Sequence, residues 1–252
     1  MKLKIYIHII DLPGWQTLLR DQLSKIDASG LGAAAAEINF CLNGSLSNYT
    51  DWVATQKSRS NAKFAHVWHS YSLFEYPTLD YIKRQCDADA DPDTAILYLH
   101  PKGISQDQKY STWRPKPNLQ DWRNFMEYWV IEQWPDCIEK LKTHDAVGVN
   151  LRTWPWPHFS GNMWWATADY IRKLPKQLHP DVLKARGYKQ FLPKVHCEST
   201  QAPRFDCEAW IGTGVELFNA KLFEIDSSPN PERSGWHYHF PWPRHEYEKT
   251  NK

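Results

Sequence analysis

The chain has 252 residues, and its 30 Lys and Arg against 29 Asp and Glu leave a formal net charge of +1. This balance argues against a nucleic acid or an anionic membrane surface as a partner, because a net charge near zero does not attract a negatively charged partner. The length suffices for one large domain with a substantial core. No apolar run approaches the roughly 20 residues of a membrane span, and the five cysteines contain no Cys-x-x-Cys pair. We therefore expect a cytoplasmic protein with reduced cysteines and no transmembrane segment.

Strand and helix patterns alternate through the first 150 residues. Short apolar runs predict strands at Lys4–Ile10, Glu37–Leu42, Ala65–Trp68, Ala95–Leu99 and Ala146–Asn150. Apolar residues at three- and four-residue steps predict helices at Trp15–Ile26, Tyr76–Cys86 and Asn118–Leu141, the last kinked or divided at Pro135. This alternation predicts an α/β fold in which helices flank a mainly parallel central sheet.

The second part of the chain is less regular. Its predicted elements are a strand at Met163–Ala166, a helix at Ala168–Leu174, a small helix or insertion at about 177–193, and an amphipathic helix that begins at Asp206 and carries Glu208 in its first turn. Residues 226–252 are rich in Pro, His and aromatic residues and are predicted to wrap around or cover the domain. Because the sequence has no internal repeat and no clear linker, we expect one domain over residues 1–252.

An acidic run, Cys86–Asp93, contains two overlapping Asp-x-Asp pairs, Asp87/Asp89 and Asp89/Asp91. Such a pair at the end of a strand can hold a divalent ion against a diphosphate. Here the run precedes the predicted strand and contains a proline, which is typical of a loop. We therefore predict a solvated surface turn and not a metal site.

One candidate site follows the strongest strand pattern of the chain, Ala95–Leu99. The strand leads directly into His100-Pro101-Lys102-Gly103. In open α/β sheets, ligands bind at the carboxyl ends of strands. A His and a Lys at that end, with a Gly that lets the backbone approach closely, would form a cradle for an anion. An ordinary strand exit with an incidental His and Lys remains the alternative.

The second candidate segment is His158–Ala166, which concentrates groups that suit a sugar. It contains a His, a Ser-Gly-Asn turn and two adjacent tryptophans of the 14 in the chain. A tryptophan offers a flat apolar face and one N–H donor. Because successive side chains of a strand alternate, one of Trp164 and Trp165 should point into the core, and at most one should contact a ligand.

Several known motifs are missing from the sequence. The loop after the first strand lacks Gly-x-Gly-x-x-Gly, which disfavours a dinucleotide-binding dehydrogenase. Neither a phosphate-binding Gly-Lys-Ser/Thr loop nor a Gly-x-Ser-x-Gly nucleophile elbow occurs. His237, His239 and His245 are close in sequence, but we expect them to lie on the surface and not to bind metal.

Four segments follow one another in a distinctive order: Tyr98–Gly103, Asp121-Trp122-Arg123 with Met126-Glu127-Tyr128, Val147–Asn150 and His158–Ala166. This ordered series resembles a family of glycosyltransferases from bacteria and large algal viruses that is similar to the GT-A class. The resemblance covers roughly residues 95 to 215. It implies a nucleotide-binding half at about 1–105 and a donor-sugar and acceptor half at about 106–225, within a single GT-A-like domain.

The resemblance also implies roles for individual residues. The end of the first strand, His8, Ile10 and Asp11, would lie near the nucleotide base. His100, Lys102 and Gly103 stand where a GT-A enzyme usually carries its Asp-x-Asp, so Lys102 would offset the diphosphate charge and His100 would donate a hydrogen bond or ligate a metal. The residues expected to bind the donor sugar or the acceptor are Asn150, His158, Ser160, Gly161, Asn162 and either Trp164 or Trp165.

The predicted activity is transfer of a sugar from a nucleotide diphosphate, carrying UDP, dTDP or GDP, to a hydroxyl of a glycan or other acceptor. Lys102 and Arg123 would meet the charge that develops on the leaving diphosphate. Glu208 is the first candidate for the base that activates the acceptor hydroxyl, ahead of Glu198 and Asp206. Mn²⁺ or Mg²⁺ is an expected cofactor, although the missing Asp-x-Asp at the usual strand end leaves metal dependence open. The alternative is a protein of the same fold that binds a nucleotide sugar or carbohydrate without catalysis.

Overall fold

A computed structural model of the chain describes residues 1–69, 73–104, 116–153, 156–176, 202–226 and 243–248. Several sequence predictions fall outside these ranges: the insertion at about 177–193, Glu198, His237, His239 and most of the segment 226–252. No helix within the described ranges is long and apolar enough to cross a membrane.

Seven strands form one central sheet in the order β3-β2-β1-β4-β8-β5-β9. These strands are β1 (Lys2–Ile10), β2 (Glu37–Asn43), β3 (Ala62–Trp68), β4 (Thr94–Leu99), β5 (Ala146–Gly148), β8 (Trp164–Thr167) and β9 (Leu222–Glu224). All neighbouring pairs are parallel except the two that involve β8, which is antiparallel to both β4 and β5. The prediction of a mainly parallel sheet flanked by helices is therefore confirmed. Strands β6 (Leu151–Arg152) and β7 (His158–Phe159) form a separate antiparallel hairpin.

The helices agree with the sequence patterns, with shifts at their ends. They are α1 (Trp15–Ala28), α2 (Leu31–Ala34), α3 (Thr50–Gln56), α4 (Tyr76–Ala88), α5 (Lys116–Glu127), α6 (Trp134–Leu141), α7 (Ala168–Lys173), α8 (Ala202–Ala209) and α9 (Thr213–Phe218). The long pattern over 118–141 is divided: a π-helical turn over Tyr128–Glu132 separates α5 from α6. Pro135 lies in the first turn of α6, where its missing N–H costs no helical hydrogen bond.

Two predictions of element boundaries were wrong. The strand predicted to reach Asn150 ends at Gly148, because Asn150 has φ 56° and leaves the extended conformation. The helix predicted to begin at Asp206 begins at Ala202, so Glu208 lies in the last turn of α8 and not in its first. The sequence patterns also missed the short elements α2, α3, β6, β7 and β9.

The paired tryptophans of β8 point to opposite faces of the sheet, as the strand alternation predicts. Trp165 packs in the core on the side of α1, α5 and α6, and its indole N–H donates to the Val130 carbonyl at 2.8 Å. Trp164 packs on the other side against Tyr98 and Trp210. Both side chains are 0% exposed. The expectation that one of them forms a wall of the donor-sugar site is therefore not supported, since both indole rings belong to the core.

The acidic run Cys86–Asp93 lies at the amino end of the sheet. The backbone N–H of Lys2, at the start of β1, donates to the Asp93 carbonyl at 2.7 Å. Lys4 forms an ion pair of 2.8 Å with Asp89. The carboxyl ends of β1 and β4 lie at the opposite edge, so the two Asp-x-Asp pairs cannot take part in a site there.

The carboxyl edge contains the point at which the strand order reverses. From β1 the chain proceeds outward to β2 and β3, and then returns through α4 to β4 on the other side of β1. The connections that follow β1 and β4 therefore leave in opposite directions. In open α/β sheets this arrangement opens a crevice between the two strand ends, where ligands bind.

Candidate functional site

A cleft of about 160 Å³ lies at this crevice. It is formed by the end of β1, the start of α4, the loop after β4 and one residue of α8. Its lining residues are His8, Ile10, Leu12, Phe74, Glu75, His100, Pro101, Lys102, Gly103, Ile104 and Arg204. A larger groove of about 550 Å³ lies between α1 and α3 and is bordered by the Asp27–Arg59 ion pair. We regard the smaller cleft as the candidate site, because the buried side chains of His8, Glu75, His100 and Lys102 all line it.

The loop after β4 brings Lys102 into the cleft. Gly103 has φ 90°, and a side chain at this position would place Cβ 2.6 Å from Leu119, so the turn requires glycine. Lys102 is buried; its ammonium lies 3.6 Å from the Glu208 carboxylate and 5.0 Å from the Trp122 ring. Burial lowers the pKa of Lys102, and the charge of Glu208 opposes this effect. The loop thus holds a shielded cationic group at the carboxyl edge of the sheet.

Arg204 is a second cation in the cleft, and it was not predicted from the sequence. It lies in the first turn of α8, lines the cleft, and places Nε 3.6 Å from Oε1 of Glu208. Arg123, the cation that was predicted instead, lies behind the loop and donates to the Lys102 carbonyl at 3.1 Å. Arg123 therefore supports the backbone of the Lys102 turn and does not line the cleft.

Glu75 joins the two segments that the sequence singled out. From the position just before α4 it accepts hydrogen bonds from the Tyr98 hydroxyl, at 3.1 Å, and from the Asn162 amide. Its other oxygen, Oε1, lies 3.4 Å from Nδ1 of His100. Burial acts to raise the pKa of Glu75, but the nearby charges of His100 and Lys102 outweigh it and hold that pKa below its usual range. Glu75 is thus a buried carboxylate in the cleft wall, with partners in both segments.

The imidazoles of His8 and His100 both lie near Glu75. His100 Nε2 donates to the Gly161 carbonyl at 2.7 Å, which connects the two predicted segments directly. Nδ1 of His8 lies 2.8 Å from the hydroxyl oxygen of Thr78. Burial lowers the pKa of both imidazoles, that of His8 to about 4, while the charge of Glu75 acts in the opposite direction.

The Ser160–Asn162 turn is fixed by internal contacts. Gly161 has φ 96°, and a Cβ there would lie 2.3 Å from the sulfur of Met126. Asn162 is fully buried; its amide donates to Glu75, and its carbonyl oxygen accepts from the indole of Trp164 at 2.9 Å. The turn therefore orients the cleft wall, and the polar atoms of Asn162 already have protein partners. Ser160, which is half-buried, donates its backbone N–H to the Asn150 carbonyl.

The remaining predicted residues lie at different distances from the cleft. Ile10 lines it, whereas Asp11 turns towards the end of β2 and accepts from Ser45 and Asn48. Glu208 lies beside Lys102 and Arg204, and Asp206 is half-buried on the same helix. Asn150 and His158 belong to the β6–β7 hairpin.

The described residues do not supply a metal site. They contain no group of three or more His, Cys, Asp or Glu side chains that could hold an ion. His100, the predicted metal ligand, has its Nε2 occupied by the Gly161 carbonyl. This donor set does not fit Mn²⁺ or Mg²⁺, which prefer several oxygen ligands.

Two solved structures share a distant likeness to the chain. One is Rv0371C in complex with manganese from Mycobacterium tuberculosis H37Rv, with 9% identity, a TM-score of 0.37, and coverage of 74% of this chain and 81% of that one. The other is 4-diphosphocytidyl-2C-methyl-D-erythritol synthase from Anaerococcus prevotii DSM 20548, with 12% identity, a TM-score of 0.38, and coverage of 89% and 88%. Likenesses of this size say nothing about activity, and no curated protein sequence matches the chain. The model of the family described as Domain of unknown function (DUF8361) matches residues 8–232, and the chain therefore belongs to that family.

Proposed function

We propose that the protein is a GT-A-like glycosyltransferase, which moves a sugar from a nucleotide diphosphate to a hydroxyl of a glycan or other acceptor. The observation that carries this proposal is the pair of cations, Lys102 and Arg204, at the point where the strand order reverses. In open α/β folds this position commonly binds nucleotides. The ordered motifs of the two segments provide the separate argument for sugar transfer.

The size and charge of the cleft suit a diphosphate. Its volume of about 160 Å³ is below the roughly 300–1,000 Å³ of pockets that enclose a drug-sized ligand. The described part of the cleft therefore fits the diphosphate and not a whole nucleotide sugar. When the sugar–oxygen bond breaks, negative charge develops on the leaving diphosphate, and the ammonium of Lys102 and the guanidinium of Arg204 would stabilise it.

Glu208 would accept the proton of the acceptor hydroxyl. Its Oε1 lies 3.6 Å from both Lys102 Nζ and Arg204 Nε. A diphosphate that pairs with the two cations would replace Glu208 as their partner and release its carboxylate for the acceptor. In the transfer step the acceptor oxygen bonds to the sugar carbon, its proton passes to Glu208, and the electrons of the broken bond remain on the diphosphate. No step is assigned to a metal ion.

Substitution of Lys102 by Met tests the phosphate site. We expect Lys102→Met to weaken UDP binding about 10- to 100-fold, since a charge-assisted contact contributes about 1.5–3 kcal/mol. The matched control is Lys142→Met, an exposed residue of the turn after α6. Calorimetric titration with UDP, GDP, dTDP and CDP gives the affinities. A nucleotide present at about 100 times its dissociation constant should raise the free energy of unfolding of wild type by about 2.7 kcal/mol. Equal affinity of Lys102→Met and wild type for every nucleotide would exclude the proposed phosphate site.

Glu208→Gln separates an enzyme from a binding protein. We expect this variant to bind the nucleotide like wild type and to lose about 10²- to 10⁴-fold in turnover, the usual contribution of a general base. Release of UDP from a panel of UDP-sugars, with and without acceptor glycans, measures the turnover. Tight binding of one nucleotide sugar without any turnover by wild type would instead favour the non-catalytic alternative.

A further inference from the structure

The β6–β7 hairpin contains three buried donors without a partner. Asn150 Nδ2, Arg152 Nη2 and Trp156 Nε1 make no hydrogen bond. Asn150 is 6% exposed and Trp156 is 9% exposed, whereas the side chain of Arg152 is half-buried. Because almost all buried polar groups in folded proteins are paired, three such donors within seven residues point to a ligand. All three are donors, so this ligand must supply acceptor atoms.

The charge of Arg152 indicates what kind of acceptor fits. The described residues place no carboxylate within ion-pair distance of its guanidinium, and burial lowers the pKa of Arg152 while Glu224 acts in the opposite direction. A guanidinium binds a carboxylate through two parallel hydrogen bonds. The negative charge of Glu224 acts on Arg152 and that of Glu208 acts on His158, and both would repel a dianionic phosphate ester more strongly than a single carboxylate. A monoanionic carboxylate therefore fits best.

The same hairpin offers a surface for a sugar ring. His158 is opposite Arg152 in the β6–β7 register, so the two side chains share one face. Nδ1 of His158 donates to the Trp156 carbonyl at 2.8 Å. Its Nε2 is then free to accept a hydroxyl proton, because burial lowers the pKa of His158 and keeps the ring neutral. The ring of Phe205, which is half-buried and lies 6.1 Å from that of Trp156, can pack against the apolar face of a pyranose.

Helix α8 connects this surface with the phosphate cleft. Arg204 lines the cleft, the next residue, Phe205, contacts Trp156, and Glu208 lies beside Lys102. The charge of Glu208 also acts on His158. The hairpin surface is thus a neighbour of the cleft, and Glu208 lies between them on α8.

We propose that the surface formed by Asn150, Arg152, Trp156 and His158 binds a pyranose that carries a carboxylate, a uronic acid, and that this sugar belongs to the acceptor. The carboxylate accepts from Arg152 and Asn150, a ring or hydroxyl oxygen accepts from the Trp156 indole, and a hydroxyl donates to His158. The assignment as acceptor rests on the proposed function. Binding of the acidic sugar does not.

The test follows the indole N–H signal of Trp156 in protein labelled with ¹⁵N-tryptophan, assigned by comparison with Trp156→Phe. Methyl glucuronide should shift this signal in a saturable manner, and methyl glucoside, which carries a neutral hydroxymethyl group in place of the carboxylate, should not. Arg152→Met should weaken glucuronide binding at least about tenfold. The control Arg84→Met removes an exposed guanidinium on α4 and should leave the affinity unchanged.

Two further variants keep the outcome interpretable. Asn150→Gly removes the amide donor but retains the backbone at φ 56°, so it should fold and bind glucuronide more weakly. Lys102→Met should weaken UDP binding and keep glucuronide binding, which separates failure of this proposal from failure of the proposed function. Equal shifts with glucuronide and glucoside, no shift with either, or unchanged affinity of both Arg152→Met and Asn150→Gly would overturn the proposal.

Discussion

His8, the buried imidazole near the carboxyl end of β1, should make the stability of the protein depend on pH. Its pKa lies at about 4 in place of 6.5, because burial penalises the charged ring more than the Glu75 carboxylate favours it. In the unfolded chain the same ring titrates near 6.5. Protonation therefore favours the unfolded state. The contribution of His8 to stability is complete above pH 6.5 and is lost as the pH falls towards 4.

The magnitude follows from these two values. Proton linkage with a pKa of about 4 in the folded chain and 6.5 in the unfolded chain gives a loss of about 2 kcal/mol between pH 7 and pH 5. His8→Asn places an amide near the position of Nδ1, which lies 2.8 Å from the Thr78 hydroxyl, but it cannot titrate. Over this interval wild type should lose about 2 kcal/mol more free energy of unfolding than His8→Asn.

Urea denaturation at pH 7, 6 and 5, followed by circular dichroism, measures this difference. The substitution itself is expected to change the free energy of unfolding by an amount that does not depend on pH. The test is therefore whether the difference in free energy of unfolding between the two proteins changes with pH. His245→Asn is the control, because that side chain is exposed in the folded chain and should give a curve parallel to wild type. Parallel curves for wild type and His8→Asn would refute the assignment of a neutral, desolvated imidazole at position 8.

Two further predictions concern the turn before β8 and the acidic run. Gly161→Ala should lower the free energy of unfolding by about 1–3 kcal/mol, because alanine would be strained at this φ and its Cβ would clash with Met126. The control is Gly14→Ala, at φ 88° with open space around it, which should lower the free energy of unfolding by less in the same urea titration. Asp89→Asn should leave UDP affinity unchanged in the presence of Mn²⁺, because Asp89 pairs with Lys4 at the amino end of the sheet. A manganese-dependent loss of affinity in calorimetry would contradict that position.

The elements of the fold were predictable where the hydrophobic pattern of a segment matched a single type of secondary structure. Strands β1 and β4 are short apolar runs buried on both faces, and that burial is typical of a parallel sheet covered by helices. Boundaries were less predictable, since they depend on backbone conformation and not on hydrophobicity. Asn150 and Glu208 illustrate this: a positive φ ends β5 early, and the earlier start of α8 moves Glu208 by more than a helical turn.

The site was predictable only in part. Lys102 and His100 follow the clearest strand of the chain, and the rule that ligands bind at strand ends places them in the cleft. Arg204 gave no comparable signal, because it begins a helix whose start the apolar pattern did not locate. Arg123 lies in a motif that the sequence makes recognisable, yet its guanidinium contacts the backbone of the Lys102 loop and not the cleft.

Glu75 explains why the two segments act as one site although neither contains it. In the sequence it precedes a helix that begins Tyr76-Pro77, and an acid at that point is ordinarily a solvated group that favours the helix dipole. In the structure it is buried, and a buried carboxylate is strongly destabilising unless charges and donors surround it. Tyr98, His100 and Asn162 provide that environment from sequence positions 23 to 87 residues away. Glu75 holds both segments in place, and the two segments in turn supply the donors that allow Glu75 to be buried. These contacts join residues far apart in the sequence, so no local pattern within either segment predicts them.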